Sequence, residues 1–420
     1  MAPIRLAIVG CGGMGHRHLY GLIELHRAGW EHFTLVGACD PVGASAESLA
    51  DQAAEYFGSR PAVVGDLDQL AALGVDAVDV TTTPRSHHIV VAEALARGWH
   101  TMVEKPLGLT VRACNVIRRA ARASGRVLSV AENYRRDPVN RLARALLEAG
   151  AIGAPRLLLH HSIGGGDQML ISVWRHHKDQ SGLLLDVGVH YADMIEYLLG
   201  EVDLVYAQTR LHERIRRNPA ATGGTPTANP AGVYGRWQKE MPATFEATAE
   251  DAAYATLVFK QGLIGQYIED HAGHGQRLWA RQIYGSAGSI SLPVDRSGEQ
   301  ISLQLEGQGE IRSAELLDLV PGFRLDAVTA SLFGAERLAE YHFSFPETDR
   351  KLIAIEYADF AGAIQDEHPP EVDAEQGTRS VALSYALLES GVVGRPVTVA
   401  EVLAEEVGGY QRSIDEGLGL

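Results

Sequence analysis

Apolar and polar positions change rhythm along the chain. Through residue 134, the apolar runs IRLAIVG, FTLVGACD, AVDVTTT, HTMVEK and VLSVAEN alternate with longer stretches rich in Ala, Leu, Glu and Arg. Strands buried on both faces read as continuous apolar runs and their crossovers as amphipathic helices, so the alternation predicts an α/β, doubly wound parallel sheet. DPVNRLARALLEAGAIG then reads as a helix ending at Gly150, and RLLLHHSIG as a strand. From residue 200 onward, VDLVYAQTRL, AAYATLVFKQGLIGQYIED and RQIYGSAGSISLP are strand-like and joined by glycine-containing turns. They predict an α+β second domain with a large, open, mostly antiparallel sheet. The expected domains are 1–134 and 135–420, with C-terminal helices able to pack back on the first.

Two stretches depart from this rhythm. Residues 212–248, including RNPAATGGTPTANPAGVYGRWQ, are dense in Pro, Gly, Thr and Ala. A structureless loop that long is uncommon inside a compact domain, so a linker, a lid or an arm onto a neighbouring subunit stand beside a plain surface insertion. In LLLDVGVHYADM, residues 183–194, Asp186, His190 and Asp193 interrupt an apolar run; on a helix all three fall on one face.

Composition narrows the classes of function. A chain of 420 residues, 46% hydrophobic, is an ordinary globular protein long enough for two cores. Its formal charge of -16 argues against nucleic-acid and anionic-membrane partners, which are bound by Lys and Arg excess. MAPIRLAIVGCGG enters a strand pattern without a signal peptide's charged region, and no long apolar span follows, so a cytoplasmic protein is expected. Cys11, Cys39 and Cys114 are too widely spaced for a disulfide framework or a metal knuckle, and read as small core residues. The pairs His160/His161 and His176/His177 would point to opposite faces of a strand, and no metal is expected.

VGCGGMG supplies Gly10, Gly12 and Gly15 as G-x-G-x-x-G directly after a strand and at the start of a helix, with Gly13 and Met14 in the same turn. Glycines there allow a tight turn, close approach to a pyrophosphate and close helix packing, while the helix N-terminus faces the phosphates. The second strand ends at Asp40, where a carboxylate accepts hydrogen bonds from ribose hydroxyls and repels a 2′-phosphate. NAD is therefore the expected cofactor.

Glu104, Lys105 and Pro106 end the fifth strand, on the side of an open α/β sheet where ligands bind. A lysine there can act as acid, base or hydroxyl-orienting donor. The motifs now stand in a recognisable order: GCGGMG, TTPRSHH, EKPLGLT, ENYRRDP, EAGAIG, WR with SGLLLDVGVHYAD, EDAAYATLVFKQG, YGSAGSI and GTRSVALSYALLESGVVGRPV. In that order the chain resembles the Gfo/Idh/MocA oxidoreductase family, which includes glucose-fructose oxidoreductase and inositol dehydrogenase.

The resemblance implies a dinucleotide-binding first domain and a second domain whose open sheet serves homodimer or homotetramer contacts. It also implies that Lys105, Asp186 and His190 meet at the nicotinamide, with Gly182 left alone from the family's usual glycine run. Thr82, Pro84 and either His87 or His88 would border the cofactor, counting back from Glu104 favouring His87; Asn133 would reach the nicotinamide amide. Tyr134, Arg135, Trp174, Arg175 and His177 are candidates for substrate contact. Oxidising a secondary alcohol needs a base for the hydroxyl proton, and imidazole titrates near neutral pH. His190 is the leading base, Lys105 the donor to the reacting oxygen, and Asp186 a holder of a substrate hydroxyl or of the imidazole. Which of Lys105 and His190 takes the proton stays open. The expected activity is NAD-dependent oxidation of a sugar, sugar derivative or cyclic polyol. Redox-neutral glycoside cleavage and a non-catalytic dinucleotide-binding regulator are the alternatives.

Overall fold

The computed structural model describes residues 2–225, 229–366 and 368–420. The chain forms two compact units, residues 1–133 with 346–378 and 420, and residues 134–345 with 379–419.

The first unit is built on six strands: β1 (Ile4–Val9), β2 (Phe33–Cys39), β3 (Ala62–Val64), β4 (Ala77–Val80), β5 (His100–Glu104) and β6 (Leu128–Ala131). All pair in parallel, in the order β3-β2-β1-β4-β5-β6. Helices α1 (Gly13–Arg27), α2 (Gly43–Phe57), α3 (Leu67–Ala71), α4 (Pro84–Ala96) and α5 (Val111–Ser124) make the crossovers. Strand order reverses at β1 and β4, the switch point outside which such sheets bind ligands. Leu6, Ile8, Val78, Val80 and Val103 are fully enclosed, which is why these strands read as unbroken apolar runs. The helix Phe345–Gln365 also belongs here from Pro346 onward, burying Tyr357 and Phe360 against Phe33.

The second unit opens with α6 (Pro138–Glu148), started by Asp137, whose side chain accepts from Val139 N. There follow β7 (Pro155–Gly165), α7 (Leu183–Asp186), α8 (Gly188–Leu199), β8 (Val202–Arg210), β9 (Ile215–Arg217), α9 (Gly235–Glu240) and β10 (Thr244–Glu246). Then come β11 (Ala252–Phe259), β12 (Ile264–Gly273), β13 (Leu278–Gly285), β14 (Gly288–Leu292), β15 (Ser302–Leu305), β16 (Gly309–Ile311) and β17 (Val397–Thr398). Nine of these strands form one sheet, β16-β15-β14-β13-β7-β12-β11-β8-β17, antiparallel except where β12 runs parallel to β7. Its register puts Val205, Leu257, Tyr267 and Ile283 on a buried face and Tyr206, Ile264, Leu278 and Tyr284 on an exposed one. α8 covers the buried face, where Tyr191 meets His160. His160 is enclosed there while His161, one residue on, is partly exposed, as strand alternation requires.

The 212–248 segment is not a bare loop. β9 and β10 pair antiparallel, α9 lies between them, and Asn218 Nδ2 donates to Gln238 O at 2.8 Å. Arg216 is wholly buried and anchors the segment, pairing with Asp251 at 2.7 Å and donating to Gly166 O at 2.6 Å. Residues 226–228 of this segment lie outside the described residues.

Candidate functional site

In the first unit the three motif glycines divide their work. Gly10 leaves β1 at φ +99°, and a Cβ there would fall 2.8 Å from Thr82 N; Thr81 Oγ1 donates to Gly10 O at 2.6 Å. At Gly15 a Cβ would lie 2.3 Å from Gly10 O. At Gly12 it would meet, among the described residues and apart from its chain neighbours, no atom within 4 Å. Two glycines thus close the turn and the third keeps its outer face open. α1, with Gly13 and Met14 in its first turn, has no side-chain cap bond and no acidic residue there, so its N–H groups and dipole suit an anion.

Asp40 is held beside this turn by two backbone donors, Cys11 N at 2.7 Å and Val42 N at 2.8 Å, one on each carboxylate oxygen. Each oxygen keeps a second lone pair for a ribose hydroxyl. At the end of β6, Asn133 Oδ1 is buried with no hydrogen-bond partner among the described residues, an acceptor suited to a carboxamide N–H. The donors, the open glycine and the acceptors fit NAD.

Lys105 is half-buried and joined to Pro106 by a cis peptide bond. Pro84 starts α4, and His87, fully enclosed, faces Pro106 O at 3.0 Å and Thr82 O at 3.1 Å. Burial lowers the His87 pKa, so the neutral ring donates to one carbonyl at a time and braces the two loops from inside. Sequence reading missed a neighbouring cluster. His18, three residues after Gly15, lies between Asp79 and Glu104 with 2.9 Å contacts to each. The only available signal was a histidine facing inward from a helix otherwise assigned to phosphate binding.

In the second unit α7 and α8 are separate short helices, tightened at Val187, where His190 N donates to Val187 O at 3.0 Å. The buried His190 ring stacks on Tyr134, centroids 4.0 Å and planes 5° apart. Asp186, also buried, accepts from Arg175 Nε at 2.9 Å; Arg175 donates to Ser172 Oγ at 2.8 Å and lies 4.2 Å over the Trp174 ring. Arg135 commits its guanidinium to Asp193, with Nε 2.8 Å from Oδ2, and lies over Tyr197. His177 contacts Glu246 O at 3.1 Å. A cavity of about 300 Å³ is lined by Tyr134, Tyr191, Trp279, Arg296, Phe343 and Phe345. Arg296 lies 4.6 Å over the Tyr134 ring and donates to its hydroxyl at 3.2 Å. Among the described residues no group of three His, Cys, Asp or Glu side chains could hold a metal.

A parallel sheet in this strand order, with such a glycine turn and acidic strand end, defines a dinucleotide-binding Rossmann domain. Residues 4–132 match the oxidoreductase family's NAD-binding Rossmann fold and residues 144–399 its C-terminal alpha/beta domain. The chain belongs to the Gfo/Idh/MocA oxidoreductase family.

It is 28% identical over 306 residues to levoglucosan dehydrogenase of Pseudarthrobacter phenanthrenivorans, covering 71% of this chain and 76% of that one. It is 28% identical over 216 residues to inositol 2-dehydrogenase of Burkholderia multivorans, covering 51% of this chain and only 59% of that enzyme. A solved levoglucosan dehydrogenase in complex with NADH and L-sorbose superposes with TM-score 0.73 at 21% identity, covering 95% of this chain and 99% of that one. An NAD-binding oxidoreductase from Klebsiella pneumoniae gives 0.75 at 22% identity, with the same coverage.

Proposed function

We propose that the protein oxidises a secondary hydroxyl of a sugar, sugar derivative or cyclic polyol. The observation that carries the reading is the presence, in one chain, of a glycine turn flanked by Asp40 and a buried imidazole held flat against Tyr134. Bound NAD would accept the hydride leaving the alcohol carbon. Gly10, Gly12, Gly13, Met14 and Gly15 would hold the pyrophosphate, Asp40 a ribose, and Asn133 the carboxamide; Thr82, Pro84, His87 and Glu104 would shape the bed beneath.

In this reading His190 takes the hydroxyl proton, Lys105 donates to the reacting oxygen, and Asp186 accepts from a substrate hydroxyl or from the imidazole. Tyr134, Trp174, Arg175, Arg135 and His177 would line the approach of the substrate. The aromatic walls of the 300 Å³ cavity suit the C–H faces of a hydroxylated ring, and Arg296 a polar substituent. The relatives named levoglucosan dehydrogenase and inositol 2-dehydrogenase support this substrate class.

The reading extends to self-association through the exposed sheet face carrying Tyr206, Ile264, Leu278 and Tyr284. It places the protein in the cytoplasm, where three free, buried cysteines are at home. The test is incubation with NAD and a panel of sugars, cyclitols and aryl glycosides, following NADH and aglycone together. Stoichiometric NADH supports the proposal. Aglycone release without NADH would replace it with redox-neutral cleavage, and saturable NAD binding with neither signal would replace it with a regulatory role.

A further inference from the structure

The first unit holds a buried ionic cluster that the cofactor reading leaves unused. His18, on α1, is fully enclosed. Its Nδ1 is 2.9 Å from Asp79 Oδ2 on β4 and its Nε2 is 2.9 Å from Glu104 Oε1 at the end of β5. Tyr357, on the helix Phe345–Gln365, donates to the same Asp79 oxygen at 2.5 Å. The other oxygens, Asp79 Oδ1 and Glu104 Oε2, are buried with no partner among the described residues. His18 is thus the main compensation that Glu104 has for leaving water.

A neutral imidazole offers one donor and one acceptor, so it can serve only one of two facing carboxylates; an imidazolium serves both. Burial alone would drive the charge off the ring, but Asp79 and then Glu104 outweigh it and hold the His18 pKa well above its ordinary value. Burial likewise opposes ionisation of Glu104, and His18, joined by Lys105 and Arg17, reverses that and lowers its pKa. Arg17 is itself paired with Asp349 at 2.6 Å, and Glu356 acts on Tyr357.

We infer that His18 is a positioning residue, a standing imidazolium that ties Glu104, and with it Lys105, to the glycine-turn helix and keeps the Glu104 carboxylate ionised. One side chain thereby spans α1, β4 and β5, the elements that carry the phosphate end and the strand-end lysine. The functional consequence rests on the reading that Lys105 serves the nicotinamide end; the charge on His18 does not.

Two measurements on the full chain decide it. The first is nitrogen NMR of histidine-labelled wild-type protein, assigned through bonds, from about pH 6 to about pH 9. Both His18 ring nitrogens should be protonated and unmoved across the range; one bare ring nitrogen at about pH 7 overturns the inference. The second compares NAD+ and NADH affinity in wild type and His18→Gln by tryptophan fluorescence at about pH 6 and about pH 8.5. Gln removes the hydrogen-bonded cation of Glu104 and leaves only the more distant charges of Lys105 and Arg17, so the buried carboxylate takes up a proton more readily. The variant's preference for NAD+ over NADH should therefore fall at least about fivefold more than the wild type's as pH drops. An equal pH response in the two proteins overturns the positioning role. Failure of wild type to bind either nucleotide would sink the proposed function instead, while the NMR result would still decide His18.

Discussion

The imidazole of His190 lies flat on the phenol of Tyr134, 4.0 Å away and 5° from parallel. The stack fixes the ring plane through its face. His190→Ala should lower kcat by about a hundredfold or more, the usual contribution of a general base. Tyr134→Phe keeps the stack and should stay within about threefold, whereas Tyr134→Ala should lose about ten- to a hundredfold through misorientation. Equal kcat values for the Phe and Ala variants would remove the stack from the mechanism.

Arg175 and Asp186 form a buried ion pair, 2.9 Å apart. Arg175→Gln deprives a buried carboxylate of its cation and should destabilise the second unit by roughly 3–5 kcal/mol. Urea unfolding measures this. A loss below about 1 kcal/mol would mean that other groups satisfy Asp186.

The glycines of the turn should separate folding from binding. At Gly12 an added methyl meets no atom within 4 Å among the described residues beyond its chain neighbours, so Gly12→Ala should keep the melting temperature while raising the NAD dissociation constant about tenfold or more. Gly15→Ala forces a Cβ to within 2.3 Å of Gly10 O and should cost several kcal/mol of stability. Thermal melts and NAD titrations of both variants check the pair. Unimpaired NAD binding by Gly12→Ala would contradict the pyrophosphate site.

His176 predicts an acid-labile second unit. Its Nε2 accepts from Leu170 N at 2.9 Å, so the ring is neutral, and burial followed by the Arg216 charge lowers its pKa from 6.5 to about 3. A depressed histidine contributes its stability above about pH 6.5 and loses it as pH falls toward about 3. The loss should approach about 1.4 kcal/mol per pH unit in the middle of that window. His176→Gln keeps an acceptor that does not titrate, and should flatten this slope in unfolding measured at several pH values. A slope unchanged by the substitution would assign acid lability elsewhere.

What could be read from the residues follows from what local pattern encodes. Five of the six strands of the first sheet announce themselves because residues such as Ile8 and Val80 are buried on both faces, whereas β3, three half-buried residues, gives no apolar run; the G-x-G-x-x-G turn is legible because Gly10 and Gly15 meet steric limits that a side chain would violate. The Tyr134–His190 stack, the Arg175–Asp186 pair and the His18 cluster join residues that only the tertiary fold brings together, so periodicity carries no trace of them. β9 and β10 are three residues each, too short for a periodic signal, and their anchor is a buried arginine, Arg216, that composition would place in solvent. C-terminal helices packing back on the first domain are expected from the sequence without bounds, and the structure identifies Phe345–Gln365 as one that does so from Pro346 onward.

The most direct test of the account follows deuterium. A sugar or cyclitol that yields NADH in the panel is prepared with deuterium on the carbinol carbon and incubated with the protein and NAD. The expected result is one deuterium in each reduced nicotinamide, accumulating in step with ketone, and abolished in His190→Ala. Product formed without labelled NADH would contradict dehydrogenation as the activity of this chain.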